Sequence, residues 1–373
     1  MPLSVEDQLR LNVMLASGVD AVRIDEGRMT VYGLKGGNEA EIKLNPNCRD
    51  EQYLKQVRET LSGHVLGSPG GYPVFLKRWT RMGQMKDDSL ADLLKLGEPE
   101  AVMAVVCAQG LSDELARLAW WAAPEAEHAR RMLESEQVVQ GSMGKELADF
   151  LVEFLPFEED PYAIARSVRL VLQADLISEE QRRAIWDKGN RKNVFRIGFL
   201  QAIPHALPDP QPAHVEHAQH AAALRELAGQ GNVIAQVLEL VLASPGQTFL
   251  SVSEQILKKP ANQEVVSALF DAVGDYFRAA WPGEWREQDI NALLEQAEQA
   301  CTQPHDELAA VLDAVPELEA EIRALMMLAQ LTEAVAIPVF ARSDAIGTLM
   351  RKKLEPVTTP IFKQFAILRG RAA

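Results

Sequence analysis

The densest group of potential ligands in this sequence is HVEHAQH, which places His214, Glu216, His217 and His220 within seven residues. Imidazole nitrogens and carboxylate oxygens are the donors that zinc and related divalent metals accept. If the segment is helical, three-residue steps turn each histidine about 60° from the last, leaving His214 and His220 roughly 120° and 9 Å apart. One ion cannot easily reach all three. Glu216 with His220, or His217 with His220, can each supply two ligands, and His205 stands just across a proline-rich segment. The HExxH arrangement of zinc proteases is absent. The preferred reading is a solvated helix start with no bound metal, and His214, Glu216, His217 and His220 stand as the candidate ligands.

Thiol chemistry is the next possibility. The cysteines are Cys48, Cys107 and Cys301. Cys48, in NPNCRDE, reads as lying in the first turn of a helix beside Arg49, and both influences favour thiolate. It is the candidate for a sulfur carrier or thiol-dependent enzyme. Asp50 and Glu51 oppose that effect, and there is no CxxC partner. Cys107, within AVMAVVCA, reads as a small buried hydrophobe and Cys301 as an ordinary helix residue.

Two basic segments interrupt an acidic background. LKRWTRMGQMK carries Lys77, Arg78, Arg81 and Lys86; RRAIWDKGNRKNVFR carries Arg182, Arg183, Lys188, Arg191, Lys192 and Arg196. Trp79, Trp186 and Phe195 are interleaved, the pattern by which single-stranded nucleic acid is held through phosphate contacts and base stacking. Lys77, Arg78, Trp79, Arg81, Arg191 and Lys192 are therefore the nucleic-acid candidates. The competing reading is that helix carboxyl ends attract Lys and Arg and that tryptophan anchors cores. No GxSxG or other nucleophile motif narrows the many serine and histidine pairings, so no catalytic residue is assigned. The Gly- and Pro-rich GSPGGYP, residues 67 to 73, lacks GxxxxGK[ST] and reads as a connector, and no cofactor is expected.

The elements that must position these residues read as mainly α, a multi-helix bundle or irregular helical array with a small amino-terminal α+β portion. Ser4 caps a first helix with Leu9, Leu11, Val13, Met14 and Leu15 on its apolar side. VDAVRIDEGRMTVYGL alternates Val19, Val22 and Ile24, turns at Glu26 and Gly27 and resumes with Met29, Val31 and Leu34, a β-hairpin. EAEIKLN supplies a third strand, and Asn47 caps a helix with Tyr53, Leu54, Val57 and Leu61. From residue 88 onward the pattern is helical. Pro99, Pro124 and Pro161 each read as a first helical position, and Ser178 with Gln181 has capping-box spacing. Four prolines in IPHALPDPQPAH, residues 203 to 214, favour extended backbone and suggest a join. The expected units are 1–87, 88–203 and 213–373. The terminal LMRKKLEPVTTPIFKQFAILRGRAA is basic and partly apolar, suited to docking on the body or a partner, and its prolines should divide any amphipathic helix.

Composition bounds the rest. A chain of 373 residues, 47% hydrophobic, can bury a large core. Its net charge of -15 repels polyanions except where cations gather locally. The amino terminus lacks a secretory pattern, and apolar runs such as AVMAVVCA and ALMMLA are far shorter than the roughly 18 residues a membrane span needs. Three scattered cysteines suit a reducing compartment, so a soluble cytoplasmic protein is expected.

Four segments, LRLNVMLASGVDAVRIDEGRMTVYGL, LSGHVLGSPGGYPVFLKRWTRMGQ, LLKLGEPEAVMAVV and NRKNVFRIGFLQAIP, together resemble the DsrS proteins of bacterial dissimilatory sulfur oxidation. The likeness runs through the first two hundred residues and brings no catalytic motif. It implies a soluble cytoplasmic accessory protein, encoded with the sulfur-oxidising machinery and acting on its production or function through protein partners.

Overall fold

The computed structural model describes residues 3–67, 87–283, 289–342 and 345–371. Among these are 20 α-helices and one three-stranded antiparallel sheet near the amino terminus. They form two compact units: residues 1–154 with 173–177, and residues 155–172 with 178–373.

The first unit begins with α1 (Val5–Ala16), whose amino end is capped as expected by the Ser4 hydroxyl accepting from Asp7 N at 3.1 Å. β1 (Ala21–Asp25), β2 (Thr30–Lys35) and β3 (Asn38–Lys43) form a meander in that order, with Ala21 opposite Leu34 and Thr30 opposite Lys43. The sheet packs against α1 and α2 (Asp50–Leu66) through Leu11, Met14, Val22, Val31, Val57 and Leu61. Gly33 interrupts the apolar pattern of β2 because α1 lies directly on it: a Cβ there would come within 2.7 Å of Met14 Sδ. Buried Asp7 is fully satisfied, accepting from Tyr53 Oη at 2.5 Å and Asn45 N at 2.7 Å, and so ties α1 to α2 and to the end of β3. Such a pairing is what makes a buried carboxylate tolerable. Gly67, at φ +69°, ends α2 in the left-handed conformation that glycine adopts without strain.

Six further helices complete this unit: α3 (Asp87–Leu93), α4 (Pro99–Val106), α5 (Asp113–Ala122), α6 (Ala126–Met132), α7 (Glu136–Val139) and α8 (Ser142–Phe154). Helical spacing buries Leu115, Leu118 and Ala122 on one face of α5 and Leu147 and Leu151 on one face of α8. Phe150 joins them edge to face with Trp120 at 4.8 Å.

The second unit holds α9 (Pro161–Val171), α10 (Glu179–Lys188), α11 (Val194–Ala202), α12 (His217–Gly229), α13 (Val233–Leu242), α14 (Ser244–Lys258), α15 (Gln263–Phe277), α16 (Ile290–Thr302), α17 (Asp306–Ala314), α18 (Glu319–Leu328), α19 (Ile337–Phe340) and α20 (Gly347–Leu368). Asp160 caps α9 ahead of Pro161, and the Ser178–Gln181 capping box is present on α10. α9 and α11 approach so closely that a Cβ on Gly198 would lie 2.5 Å from Val168 Cβ. α15 packs on both.

Several expectations need correcting. The proline segment 203–214, read as a join, is stapled within the second unit. Asp209 accepts from Arg183 Nη1 at 2.7 Å and Trp186 Nε1 at 2.8 Å, Gln211 N donates to Thr248 Oγ1 at 2.8 Å, and His214 N donates to Leu242 O at 2.8 Å. Pro124 precedes the Glu125 cap of α6 and is not its first residue. α2 starts at Asp50 with Arg49 in the cap position, later than an Asn47 cap would place it. Within the helical pattern read from residue 88 onward, Pro316 separates α17 from α18. Pro356 and Pro360 do not divide α20: it runs 22 residues and buries Met350, Leu354, Val357, Ile361, Phe365 and Leu368. Packing on that apolar stripe outweighs the lost backbone hydrogen bonds. No single described helix is long and apolar enough to cross a membrane; α13 and α14 pass a length and composition test only as a pair bent by 72°.

Candidate functional site

The second basic segment folds into the rim of a cavity of about 640 Å³ within the second unit. The turn from α10 to α11 brings Arg191 and Lys192, the carboxyl end of α14 brings Lys258 and Lys259, and Arg196 rises from the first turn of α11. Local contacts hold these elements in register. Asn193 Nδ2 donates to Lys259 O at 2.8 Å, satisfying a carbonyl just beyond the end of α14 and pinning the α10–α11 turn against it. Gly189 is required beneath: a Cβ would meet Arg196 Cγ at 2.6 Å and Trp186 O at 2.9 Å.

The cations divide by role. The Arg196 guanidinium lies over the Trp186 ring at 4.9 Å and donates to Gln255 Oε1 at 2.9 Å and Asn190 Oδ1 at 2.6 Å, so it braces the wall. Burial pulls its pKa below the ordinary guanidinium value, against the opposing charges of Asp209 and Asp187. Lys258 is neutralised by Glu254 at 2.5 Å. Glu254 also receives Arg369 and Arg371; burial would raise its pKa, but Lys258 and these arginines bring it below the usual carboxylate range. Arg191, Lys192 and Lys259 are exposed and carry no ion pair among the described residues. Against them on the lining stands Glu159. Three uncompensated cations around one concavity make a local positive field that the whole-chain charge conceals.

The aromatic half of the nucleic-acid expectation is not available here. Trp186 is 2% exposed and Phe195 4% exposed, and Trp186 packs edge to face on Phe199 at 5.0 Å. Neither ring can stack on a base. Lys77, Arg78, Trp79 and Arg81 lie outside the described residues. Lys258 and Lys259 went unremarked in the sequence; the dipeptide before Pro260, at the end of a helix, was the available signal.

The histidine group is drawn apart. α12 begins at His217, so His214 precedes the helix. Glu216 N donates to His214 Nδ1 at 3.2 Å, which leaves the proton of a neutral imidazole on Nε2. That nitrogen is buried without a hydrogen-bond partner among the described residues, 4.0 Å from Glu321. A protonated Nε2 is no metal ligand. Burial lowers the His214 pKa and raises that of Glu321. His217 instead faces Glu239 at 3.2 Å, His220 lies 3.7 Å from Glu216, and His205 packs against the Tyr276 ring at 5.4 Å. Among the described residues, no three His, Cys, Asp or Glu side chains are arranged to hold a metal ion.

Cys48 and Cys107 also depart from expectation. Cys48 lies two residues before α2, outside its first turn, half-buried against the apolar core of the first unit. Cys107 is exposed at the carboxyl end of α4, because the buried face of that helix is carried by Val102, Val105 and Val106. Cys301 is a half-buried residue of α16, its thiol pKa raised by burial.

The fold and site together define a mainly α-helical protein with a cationic cavity in its second unit. Comparison with known proteins finds no matching family model, no matching curated protein and no matching solved structure.

Proposed function

We propose that this chain is a noncatalytic accessory protein that acts by holding an acidic segment of a protein partner in the cationic cavity. The observation that carries the reading is the convergence of Arg191, Lys192 and Lys259, without ion-pair partners among the described residues, on one concavity of a chain whose net charge is -15. With Trp186 and Phe195 buried, the cavity offers charge and hydrogen bonds but no stacking platform, which favours carboxylates of a polypeptide over bases. The resemblance to DsrS proteins supplies the setting: a partner belonging to the dissimilatory sulfur-oxidising machinery, met in the cytoplasm.

The test is fluorescence anisotropy with a labelled oligoglutamate peptide, run beside a labelled single-stranded oligonucleotide of equal length. Peptide affinity should fall steeply with salt, and R191E/K192E/K259E should weaken it at least about tenfold, given a few tenths to 1 kcal/mol per exposed charge pair. Tighter oligonucleotide binding that quenches tryptophan emission would transfer the reading to nucleic acid. Peptide binding that ignores the triple substitution would remove the cavity from the account. In sulfur-oxidising cells, the same variant should fail to capture a sulfur-pathway component that the parent captures.

A further inference from the structure

A second cavity of about 640 Å³ opens in the same unit, where α9, α11 and α15 pack around Leu200. Its charged lining is divided by helix. α9 presents Arg166 and Arg169, and α15 presents Asp271 and Asp275. A simple anion is drawn to one wall and repelled by the other, and a simple cation meets the same conflict. A molecule carrying both charges avoids it.

Tyr276 supplies an independent observation. Its ring is stacked on Phe249 at 3.8 Å and abuts Phe277 edge to face at 5.0 Å, so its phenol is held in place. The hydroxyl oxygen is buried and has no hydrogen-bond partner among the described residues. Burial pushes the phenol pKa well up, which keeps the proton on and leaves a donor with no acceptor among the described residues. A buried hydroxyl left in that state is destabilising, and most such groups in native proteins are satisfied.

The walls can serve a ligand while keeping the contacts they already make. Each guanidinium has five N–H donors, so Arg166 and Arg169 can each accommodate a carboxylate beside their existing interactions. Half-buried Asp271 uses Oδ1 to accept from Glu333 N at 2.9 Å, and Asp275 uses Oδ1 to accept from Arg278 Nη2 at 2.6 Å, so each carboxylate engages a ligand through its second oxygen.

We infer that this cavity binds a small zwitterion of the amino-acid class, its carboxylate on the Arg166 and Arg169 wall, its ammonium on Asp271 and Asp275, and one of its oxygens accepting from Tyr276. The site is separate from the partner-docking cavity and does not rest on it.

The experiment is thermal shift and calorimetry on the full chain with each of the twenty free amino acids and glycylglycine. At least one should raise the Tm in a saturable way at concentrations up to about 10 mM. The amine lacking its carboxylate, and the acid lacking its ammonium, should each bind at least about tenfold more weakly, as should the zwitterion to Tyr276→Phe and Asp271→Asn. Without ligand, Tyr276→Phe should match or exceed the parent's Tm, because it deletes an unpaired polar atom. Three results would overturn the proposal: no shift from any of these compounds, equal binding of either half-analogue, or a lowered Tm for unliganded Tyr276→Phe, which would give the hydroxyl a purely structural role. R191E/K192E/K259E should bind the zwitterion as the parent does, so loss of one site is distinguishable from loss of the other.

Discussion

Asp113 caps a helix that starts about thirty residues later in the chain. Its carboxylate accepts from Ser142 N at 2.9 Å, Ser142 Oγ at 2.7 Å and Met143 N at 2.9 Å, satisfying the first free donors of α8. Burial works to raise its pKa, but these hydrogen bonds outweigh that and lower it. Asp113→Ala should therefore cost about 0.5–2 kcal/mol, read from the urea midpoint. The pH dependence follows from the sign of the shift. A carboxyl whose folded pKa lies below its unfolded value contributes stability above the ordinary carboxylate range and loses it as pH falls through the folded value. Asp209, lowered by hydrogen bonds from Arg183 and Trp186, and Glu254 act in the same direction, while Asp271 and Glu321, raised chiefly by burial, act against it. The denaturation midpoint should hold from neutrality to about pH 5 and then fall, and Asp113→Asn should flatten that fall. Sequence reading found the local caps Ser4 and Ser178, because a cap and its donors lie within three residues. It did not find Asp113, whose partners are distant in the chain.

Among the elements, α20 and the α9–α11 pair show packing overriding local preference. Pro356 is exposed inside α20 and removes a backbone donor while contributing little burial. Pro356→Ala should raise the Tm, by an amount equivalent to as much as about 3 kcal/mol, because the helix regains a hydrogen bond. Gly198 shows the opposite. The space between α9 and α11 has no room for a methyl group, with Val168 Cβ 2.5 Å and Ala165 O 2.7 Å from the position a Cβ would take. Gly198→Ala should cost about 1–3 kcal/mol by forcing the two helices apart, measurable as a lowered Tm, in spite of alanine's better helix propensity. Helix existence was legible because apolar residues recur at helical spacing. Where helices end was less so: the split at Pro316, the later start of α2 and the continuity of α20 through two prolines each turn on what the segment packs against.

For the molecule as a whole, charge sets solution behaviour. A net charge of -15 and a pI near 5.0 predict a solubility minimum around pH 5, where turbidity and light scattering should peak. What the sequence determined by itself was whatever depends on neighbours in the chain: a mainly helical fold with a small amino-terminal sheet, several helix caps, the acidic balance and the basic turn at Arg191 and Lys192. Tertiary structure decided which side chains meet. It buried Trp186 and Phe195 behind that turn, set Lys258 and Lys259 beside it, dispersed His214, His217 and His220 toward different carboxylates, and placed Arg166, Asp271 and Tyr276 on one cavity. The physical reason is range. Helical periodicity and capping act over a few residues, whereas a site is made by packing between segments far apart in the chain, and composition carries no record of which faces will touch.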